Sequence, residues 1–265
     1  FTPVFDEQPV ASIGAVALAP GNPDRVWVGT GEGNPRNSAR VGDGVYRSLD
    51  GGRTWKHLGL EQSERIHRVI LDPRDPQVAW VAALGPSWRD GGQRGVYKTT
   101  DGGETWRQVL GGNERTGCAD LVQDPRNPDK LIAAMWEHRR WPWFFQSGGA
   151  GSGIFLSYDG GESWERLTPE DGLPEGELGR IGLAIAPSDP RIVYALVEAK
   201  ENVILQSTDG GHSWKQQTTS KETGLRPFYY ADLRVDPQWP DRVYNCLLYT
   251  SPSPRDRTRS RMPSS

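Results

Sequence analysis

The residues best suited to chemistry lie in three loops of variable sequence, 30–44, 84–95 and 135–153, within an otherwise repetitive chain. The third loop is the richest and combines arginines, aromatic residues, a histidine and a glutamate. Aromatic rings beside arginine and carboxylate groups suit a sugar or a peptide carboxylate. A loop whose aromatic side chains only cover neighbouring apolar surface is the alternative. The residues expected to bind a ligand are Glu32, Arg36, His67, Trp88, Arg89, His138, Arg139, Arg140, Trp141, Trp143, Arg180, Tyr229 and Tyr230.

Paired carboxylates in these loops would allow hydrolysis of a glycosidic bond, which needs two such groups about 5 to 10 Å apart. Glu32, Asp90 and Glu137 are the catalytic candidates in the loops. Asp43 in the first loop and Glu175, Glu177 and Asp232 in the segments between repeats are further carboxylates of this kind. Sequence spacing selects no pair among them, so no catalytic residue is assigned.

Other kinds of site find little support in the sequence. The histidines His57, His67, His138 and His212 show no spacing typical of a zinc site, and we expect neither a metal nor another cofactor. No serine lies in a nucleophile elbow. The net charge of −3 and the lack of a basic stripe argue against a nucleic-acid partner. No apolar run is long enough to predict a membrane span.

The elements that position these loops follow from one eight-residue phrase, which occurs at 48–55, 99–106, 157–164 and 207–214. Each copy begins with Ser or Thr, continues through Asp-Gly-Gly and ends in Trp, and the Trp-to-Trp steps are 51, 58 and 50 residues. Asp-Gly-Gly predicts a tight turn, because the carboxylate accepts bonds from nearby backbone amides and the glycines adopt positive φ. The residues expected to be structural in these turns are Asp50, Trp55, Asp101, Trp106, Asp159, Trp164, Asp209 and Trp214.

The rest of each unit repeats as well. An apolar strand ending in Pro precedes each phrase, as at 16–20, 69–73 and 121–125, and a Pro/Asn/Asp turn follows it. Each unit is predicted to hold four short strands, which is typical of a β-propeller blade. Both kinds of turn are expected on one face, the bottom face. The variable loops and the connections between units are expected on the opposite top face, where binding residues usually lie.

The phrase resembles the Asp-box, or BNR repeat. Together with the Pro-rich turn and the spacing of roughly 50 residues, it resembles the sortilin-type N-terminal propeller and the large bacterial BNR-repeat proteins described as glycosyl hydrolase-like. The resemblance implies an all-β fold, in which the chain contributes four-stranded blades to a larger propeller. It also implies a secreted or periplasmic location and a structural role for the Asp-box residues. The remaining blades of a longer chain are expected as partners.

The repeat also divides the chain. Residues 1–245 are expected to form propeller, with the end of a truncated blade and a connection at 1–15. Phe1 aligns with Trp55 one repeat later and is expected to be the aromatic residue that ends an earlier Asp-box, whose turn is absent from this sequence. Residues 246–265 fit no blade, match the translation of a transposase-based sequencing adapter and are expected to be an adapter-derived, disordered addition; a disordered Ser/Pro/Arg tail is the alternative. The predicted blades are 16–58, 69–109, 121–167 and 183–217, with the start of a fifth at 233–245.

Two functions remain open. The first is an extracytoplasmic propeller that binds a peptide, protein or glycan ligand at its top face. The alternative is a glycoside hydrolase, similar to xyloglucanases or other BNR-repeat glycosidases, with paired Asp and Glu residues on that face. A sialidase is disfavoured because the N-terminal Arg-Ile-Pro motif of sialidases is absent from this sequence. Fold resemblance alone does not carry an activity.

Overall fold

A computed structural model describes residues 2–219 and 227–245, which form five antiparallel sheets in chain order. The first sheet contains β1 (Ile13–Ala19), β2 (Asn22–Thr30), β3 (Val45–Ser48) and β4 (Lys56–His57). The second contains β5 (Ile66–Leu71), β6 (Ala79–Ala83), β7 (Gly95–Thr99) and β8 (Arg107–Leu110). The third contains β9 (Thr116–Gln123), β10 (Leu131–Arg140), β11 (Phe145–Ser147), β12 (Gly153–Ser157) and β13 (Glu165–Arg166). The fourth contains β14 (Ile181–Ile185), β15 (Val193–Val197), β16 (Val203–Ser207) and β17 (Lys215–Thr218), and the fifth pairs β18 (Leu233–Val235) with β19 (Val243–Asn245).

Within the described ranges the helical segments are two short 3-10 turns, Glu61–Ser63 and Pro169–Asp171. Within each sheet successive strands pair, except that β11 and β12 both pair with β10. The first strands β1, β5, β9, β14 and β18 lie next to one another in that order. The protein is therefore an all-β propeller of four-stranded blades, as the repeat predicts. The expectations for Phe1 and for residues 246–265 fall outside the described residues.

A buried apolar layer lies between each pair of neighbouring sheets. The layers contain, in order, Trp27, Leu58 and Ile66; Trp80, Val96 and Leu121; Ile132, Leu156 and Leu183; and Tyr194, Leu196 and Leu233. Because the second strands lie between two layers, β6 and β15 are buried along their whole length. Removal of apolar side chains from water on both faces of a sheet is the main force that holds the blades together.

The Asp-Gly-Gly turns join the third and fourth strands, and three hydrogen bonds to the Asp carboxylate recur in every copy. Asp50 accepts bonds from the Thr54 backbone amide at 2.9 Å, from the Thr54 hydroxyl at 2.7 Å and from the Ser48 hydroxyl at 2.7 Å. Gly51 and Gly52 have φ of 71° and 91°, a conformation that a side chain would strain. Backbone bonding by Thr54 and its hydroxyl lowers the pKa of Asp50 to about 2.

The two kinds of turn lie on the same face, because they are joined by a backbone hydrogen bond in each complete blade. Gly51 N donates to the Asp24 carbonyl at 2.9 Å, and Gly160 N donates to the Asp129 carbonyl at 2.8 Å. The same bond recurs from Gly102 to Gln77 and from Gly210 to Arg191. The loops between second and third strands therefore lie at the opposite end of the sheets, on the top face.

The tryptophans of the four turns contact two different partners. Trp164 and Trp214 donate Nε1–H to the carbonyls of Gly161 and Gly211 in their own turns, at 3.1 and 3.0 Å. Trp55 and Trp106 instead donate to backbone carbonyls of the preceding segment of chain, those of Val4 and Leu58, at 2.6 and 2.7 Å. The same residue type thus covers a turn in two blades and ties neighbouring segments together in the other two.

Candidate functional site

The top-face loops are positioned by one unusually long hairpin. β10 pairs with β9 and β12 near its start, and its last three residues continue past the sheet to pair with β11, with Arg140 opposite Phe145. Trp136 anchors this hairpin, because it is fully buried and its ring stacks on His138 with 4.3 Å between centroids. We call residues 136–147 the top hairpin.

The top hairpin reaches the loop of the first blade. The Arg140 guanidinium donates to the Asn37 side chain and to the Pro35 carbonyl. Arg180, which directly precedes β14, donates to the Asn34 side chain at 3.1 Å and to the Phe228 and Tyr229 carbonyls at 3.2 and 2.9 Å. These two arginines bring segments of four different blades to one place.

A cavity of about 480 Å³ opens between the top hairpin, the segment before β14 and residues 228–229. We call it the top cavity. Its lining residues are Arg140, Phe144, Phe145, Gln146, Ser147, Gly148, Glu177, Glu198, Phe228 and Tyr229. Aromatic rings beside a few convergent polar groups are typical of a ligand-binding site.

Glu198, which follows β15, is a hydrogen-bonded and partly buried carboxyl group of the top cavity. Its Oε2 accepts hydrogen bonds from the Ser147 hydroxyl at 2.5 Å and from the Arg180 backbone amide at 2.8 Å. Burial raises the pKa of Glu198 above its ordinary value despite these bonds, because a buried carboxylate loses hydration. Glu177 lines the same cavity and is exposed, so two carboxyl groups in different environments share one cavity.

Sequence reasoning named Glu177 among the carboxylates between repeats but did not single out Glu198. A signal for Glu198 exists, because it begins the short loop after the second strand of its blade, the topological position of the three variable loops. Its loop, between Val197 and Val203, is too short to show the length and composition that mark the three variable loops as candidate sites.

The three catalytic candidates each have structural partners. Glu32 pairs with Arg36, and Asp90 pairs with Arg115 and Arg139 at 3.0 Å each. Hydrogen bonding by these arginines, with Arg36 and Arg115 the largest contributors, lowers the pKa of Glu32 and of Asp90.

Glu137, the third candidate, accepts bonds from the Asn113 side chain and the Gly151 amide, both at 2.9 Å. None of the three is among the lining residues of the top cavity. Their catalytic role stays a prediction.

The two top-face histidines are buried. His67 Nε2 lies 3.4 Å from the Arg180 guanidinium, and His138 Nε2 lies 3.3 Å from the Ser87 hydroxyl. Burial lowers the pKa of both histidines well below the ordinary value, and nearby arginines lower it further. Both are therefore neutral at pH 7. Across the described ranges no group of three or more His, Cys, Asp or Glu residues could hold a metal ion.

The predicted ligand-binding aromatic residues occupy different surroundings. The Arg115 and Arg139 guanidinium groups lie 5.5 and 5.0 Å from the centre of the Trp141 ring. Trp88 lies 6.0 Å from the Arg140 guanidinium, whereas Trp143 is 83% exposed at the tip of the top hairpin.

The remaining predicted ligand-binding residues also differ in their partners and in their distance from the top cavity. Arg89 forms an ion pair with Glu64 at 3.0 Å. Tyr229 lines the top cavity, and its neighbour Tyr230 is half-buried. The structure thus brings Arg140 and Tyr229 together in one cavity, with Arg180 directly behind the cavity wall.

The described geometry defines the class of protein: a β-propeller of Asp-Gly-Gly-turn blades with a cavity on the face that carries its variable loops. Solved structures of other proteins share this fold, and two of them illustrate the similarity. One is a GH74 enzyme of Niastella koreensis, with a TM-score of 0.62 and 19% identity over 87% of this chain and 34% of that one. The other is the GH74 xyloglucanase from Xanthomonas campestris, with a TM-score of 0.60 and 17% identity over 86% of this chain and 34% of that one. At these identities the similarity shows the fold alone.

Curated relatives match by sequence. A xyloglucanase of a Paenibacillus species is 27% identical over 92% of this chain and 25% of its own length. An oligoxyloglucan-reducing end-specific xyloglucanase of Emericella nidulans is 24% identical over 76% of this chain and 26% of its own length. This chain thus spans about a quarter of the length of these relatives. No family model matches the chain. Within the described residues no helix is long and apolar enough to cross a membrane.

Proposed function

We propose that this propeller belongs to a glycoside hydrolase and binds and cleaves a polysaccharide at the top cavity. The observation that carries the proposal is that two carboxyl groups, Glu198 with a raised pKa and the exposed Glu177, share a cavity with aromatic residues. The similarity to xyloglucanases over 92% of the chain supports it. Membership of the sortilin-type group stays a prediction.

Glu198 suits the role of general acid. A glycosidase acid must keep its proton near the working pH, and burial favours the protonated form of Glu198. The hydrogen bonds from the Ser147 hydroxyl and the Arg180 amide both go to Oε2, which leaves Oε1 to carry the proton towards a leaving-group oxygen. The Ser147 hydroxyl and the Arg180 amide fix the orientation of the carboxyl group.

Glu177 would act as the second carboxylate. It is exposed in the same cavity, so its carboxylate could activate a water molecule or stabilise positive charge on the sugar ring. Phe144 and Tyr229 would flank the sugar rings, because the apolar faces of sugars pack on aromatic rings. A secreted or periplasmic location is part of the proposal, since an enzyme that cleaves a polysaccharide must reach it outside the cytoplasm.

Hydrolysis and binding assays on the whole chain test this function, with xyloglucan as the first probe. Glu198→Gln should lower the hydrolysis rate by about 100-fold or more while it leaves binding nearly unchanged, because general acid catalysis contributes 10²–10⁴-fold. Glu104→Gln is the matched control, since Glu104 lies in a bottom-face turn and pairs with Lys56. Failure of the wild-type chain to bind any polysaccharide, or hydrolysis that survives both Glu198→Gln and Glu177→Gln, would overturn the proposal.

A binding propeller without catalysis is the second candidate. The contacts of Glu32, Asp90 and Glu137 favour it. Each of these carboxylates binds a group of the protein itself and so holds loops together, which suits a structural role better than a catalytic one. Its ligand would be a peptide, a protein or a glycan. Binding of xyloglucan or a peptide with no release of reducing ends would support this candidate over the first.

A further inference from the structure

Arg140 is a buried cation with no carboxylate partner in the described part of the chain. Only 7% of Arg140 is exposed, and its hydrogen bonds go to the neutral Asn37 amide and Pro35 carbonyl. Its Nε is buried and has no hydrogen-bond partner among the described residues. Burial of a guanidinium group without an opposite charge is costly, so such a group commonly marks a place that an anion occupies.

The other arginines at this end of the propeller have partners within the chain. Arg65 lies 3.7 Å from Glu64, and Arg94 donates to the carbonyls of Gly91, Leu84, Arg115, Pro86 and Arg89. Arg68 forms ion pairs with Asp120 and Asp232, and these two carboxylates also act on the neighbouring Arg180. The positive charges of Arg68 and Arg180 are therefore offset by the negative charges of Asp120 and Asp232. Arg140 lies outside this balanced group and lines the top cavity.

The walls of the top cavity suit a sugar that carries a negative charge. The Arg140 guanidinium lies 4.5 Å from the centre of the Phe145 ring, which fixes its position. Phe144 and Tyr229 supply aromatic surface in the same cavity. Glu177 and Glu198 also line the cavity and would repel an anionic ligand. This repulsion is weaker than two carboxylates would cause, because burial favours the neutral form of Glu198.

We propose that the top cavity binds an acidic sugar, with Arg140 as the partner of a uronic acid carboxylate. This inference rests on the proposed function and adds to it a position in the top cavity for a uronic acid residue of the polysaccharide. Each Nη of Arg140 carries a second N–H beyond the one that it donates to Asn37 or Pro35, and charge-assisted bonds from such groups to a carboxylate are about twice as strong as neutral ones. Neutral sugars would leave the Arg140 charge uncompensated.

A matched pair of oligosaccharides tests the inference on the whole chain. A β-1,4-linked glucuronic acid tetramer and cellotetraose differ in whether each sugar carries a carboxylate or a hydroxymethyl group. Calorimetric titration should show about tenfold or tighter binding of the acidic tetramer. Arg140→Gln should remove most of this preference, and Arg140→Lys should keep part of it because the charge remains.

Two controls keep the test decisive. Arg191→Gln removes the same charge from an exposed bottom-face turn, where Arg191 pairs with Asp189, and it should leave the preference unchanged. If Arg140→Gln fails to fold, the wild-type chain still gives an answer. Its preference for the acidic tetramer should shrink as salt rises from about 0.05 M to about 0.5 M, since screening weakens the attraction.

The outcomes separate this inference from the proposed function. Equal or tighter binding of cellotetraose, or a preference that persists in folded Arg140→Gln, overturns the acidic-sugar site while glycan hydrolysis stands. Failure to bind either tetramer and xyloglucan overturns both. A peptide with a free C-terminal carboxylate that binds more tightly than the acidic tetramer, and does so through Arg140, would replace the sugar by a peptide ligand.

Discussion

Arg68 and Asp232 form an ion pair with 2.9 Å between Nη2 and Oδ1, although they are 164 residues apart in sequence. The same guanidinium pairs through Nε with Asp120 Oδ1 at 2.8 Å. Asp120 Oδ2 in turn accepts the Leu183 backbone amide at 2.9 Å. One arginine and two aspartates thus connect the second, third, fourth and fifth blades. Burial acts to lower the pKa of Arg68, but the two carboxylates raise it above its ordinary value.

We expect Asp120→Ala to reduce the free energy of unfolding by about 3–5 kcal/mol, because it leaves Arg68 with one carboxylate fewer and the Leu183 amide without an acceptor. The Asp120 side chain is only 3% exposed, so water cannot replace it. Denaturant titration measures the effect. Asp189→Ala, which breaks the exposed pair with Arg191, should cost less than about 1 kcal/mol. Similar losses for the two variants would contradict a central role for Asp120.

The Asp-Gly-Gly turns should make the propeller sensitive to acid. The pKa of Asp50 is lowered to about 2 in the folded chain, against about 3.9 for an unfolded aspartate, and Asp101, Asp159 and Asp209 shift in the same direction. Stability from these carboxylates is complete above pH 4 and is lost as the pH falls towards 2, because the unfolded chain binds protons first.

Thermal melting between pH 5 and pH 2 should therefore show a falling midpoint. Replacement of Asp50 and Asp101 by Asn in one variant should lower the midpoint at pH 5 and make its decline with acid shallower, since fewer carboxylates remain to titrate. A variant that declines as steeply as the wild type would show that other groups cause the acid sensitivity.

Glu198 should affect stability in the opposite sense. Its folded pKa is raised by burial, so the folded chain keeps a proton that the unfolded chain loses above about pH 4.3. Stability therefore falls as the pH rises from 4.3 through the folded pKa, and it stays reduced above that pKa. Glu198→Gln removes this penalty and keeps an oxygen acceptor for Ser147 and the Arg180 amide.

We expect Glu198→Gln to be more stable than the wild type at pH 7 and equal to it at pH 4. Denaturant titrations at the two pH values measure the difference. Glu104→Gln, at an exposed position, should stay within about 0.5 kcal/mol of the wild type at both. A Glu198→Gln advantage that is the same at pH 4 and pH 7 would exclude titration of Glu198 as its cause.

The sequence by itself determined the all-β propeller fold and the Asp-Gly-Gly turns. These features follow from interactions within a few residues: Asp50 bonds to Ser48 and Thr54, and the glycines allow the positive φ that the turn requires. Local bonds of this kind depend only on the spacing of a few residues, and the same spacing occurs four times in the sequence.

Only the tertiary structure decided which loop residues meet. Arg140 reaches Asn37 across 103 residues, and Arg180 reaches Asn34 across 146. Glu198 gains its raised pKa from burial under the top hairpin of another blade, next to Ser147. Such contacts depend on the rotation of each blade relative to the next, and that rotation is set by the packing of many side chains between the blades. No spacing within one repeat records that rotation, so the residue types of the top face were readable from the sequence but their partners were not.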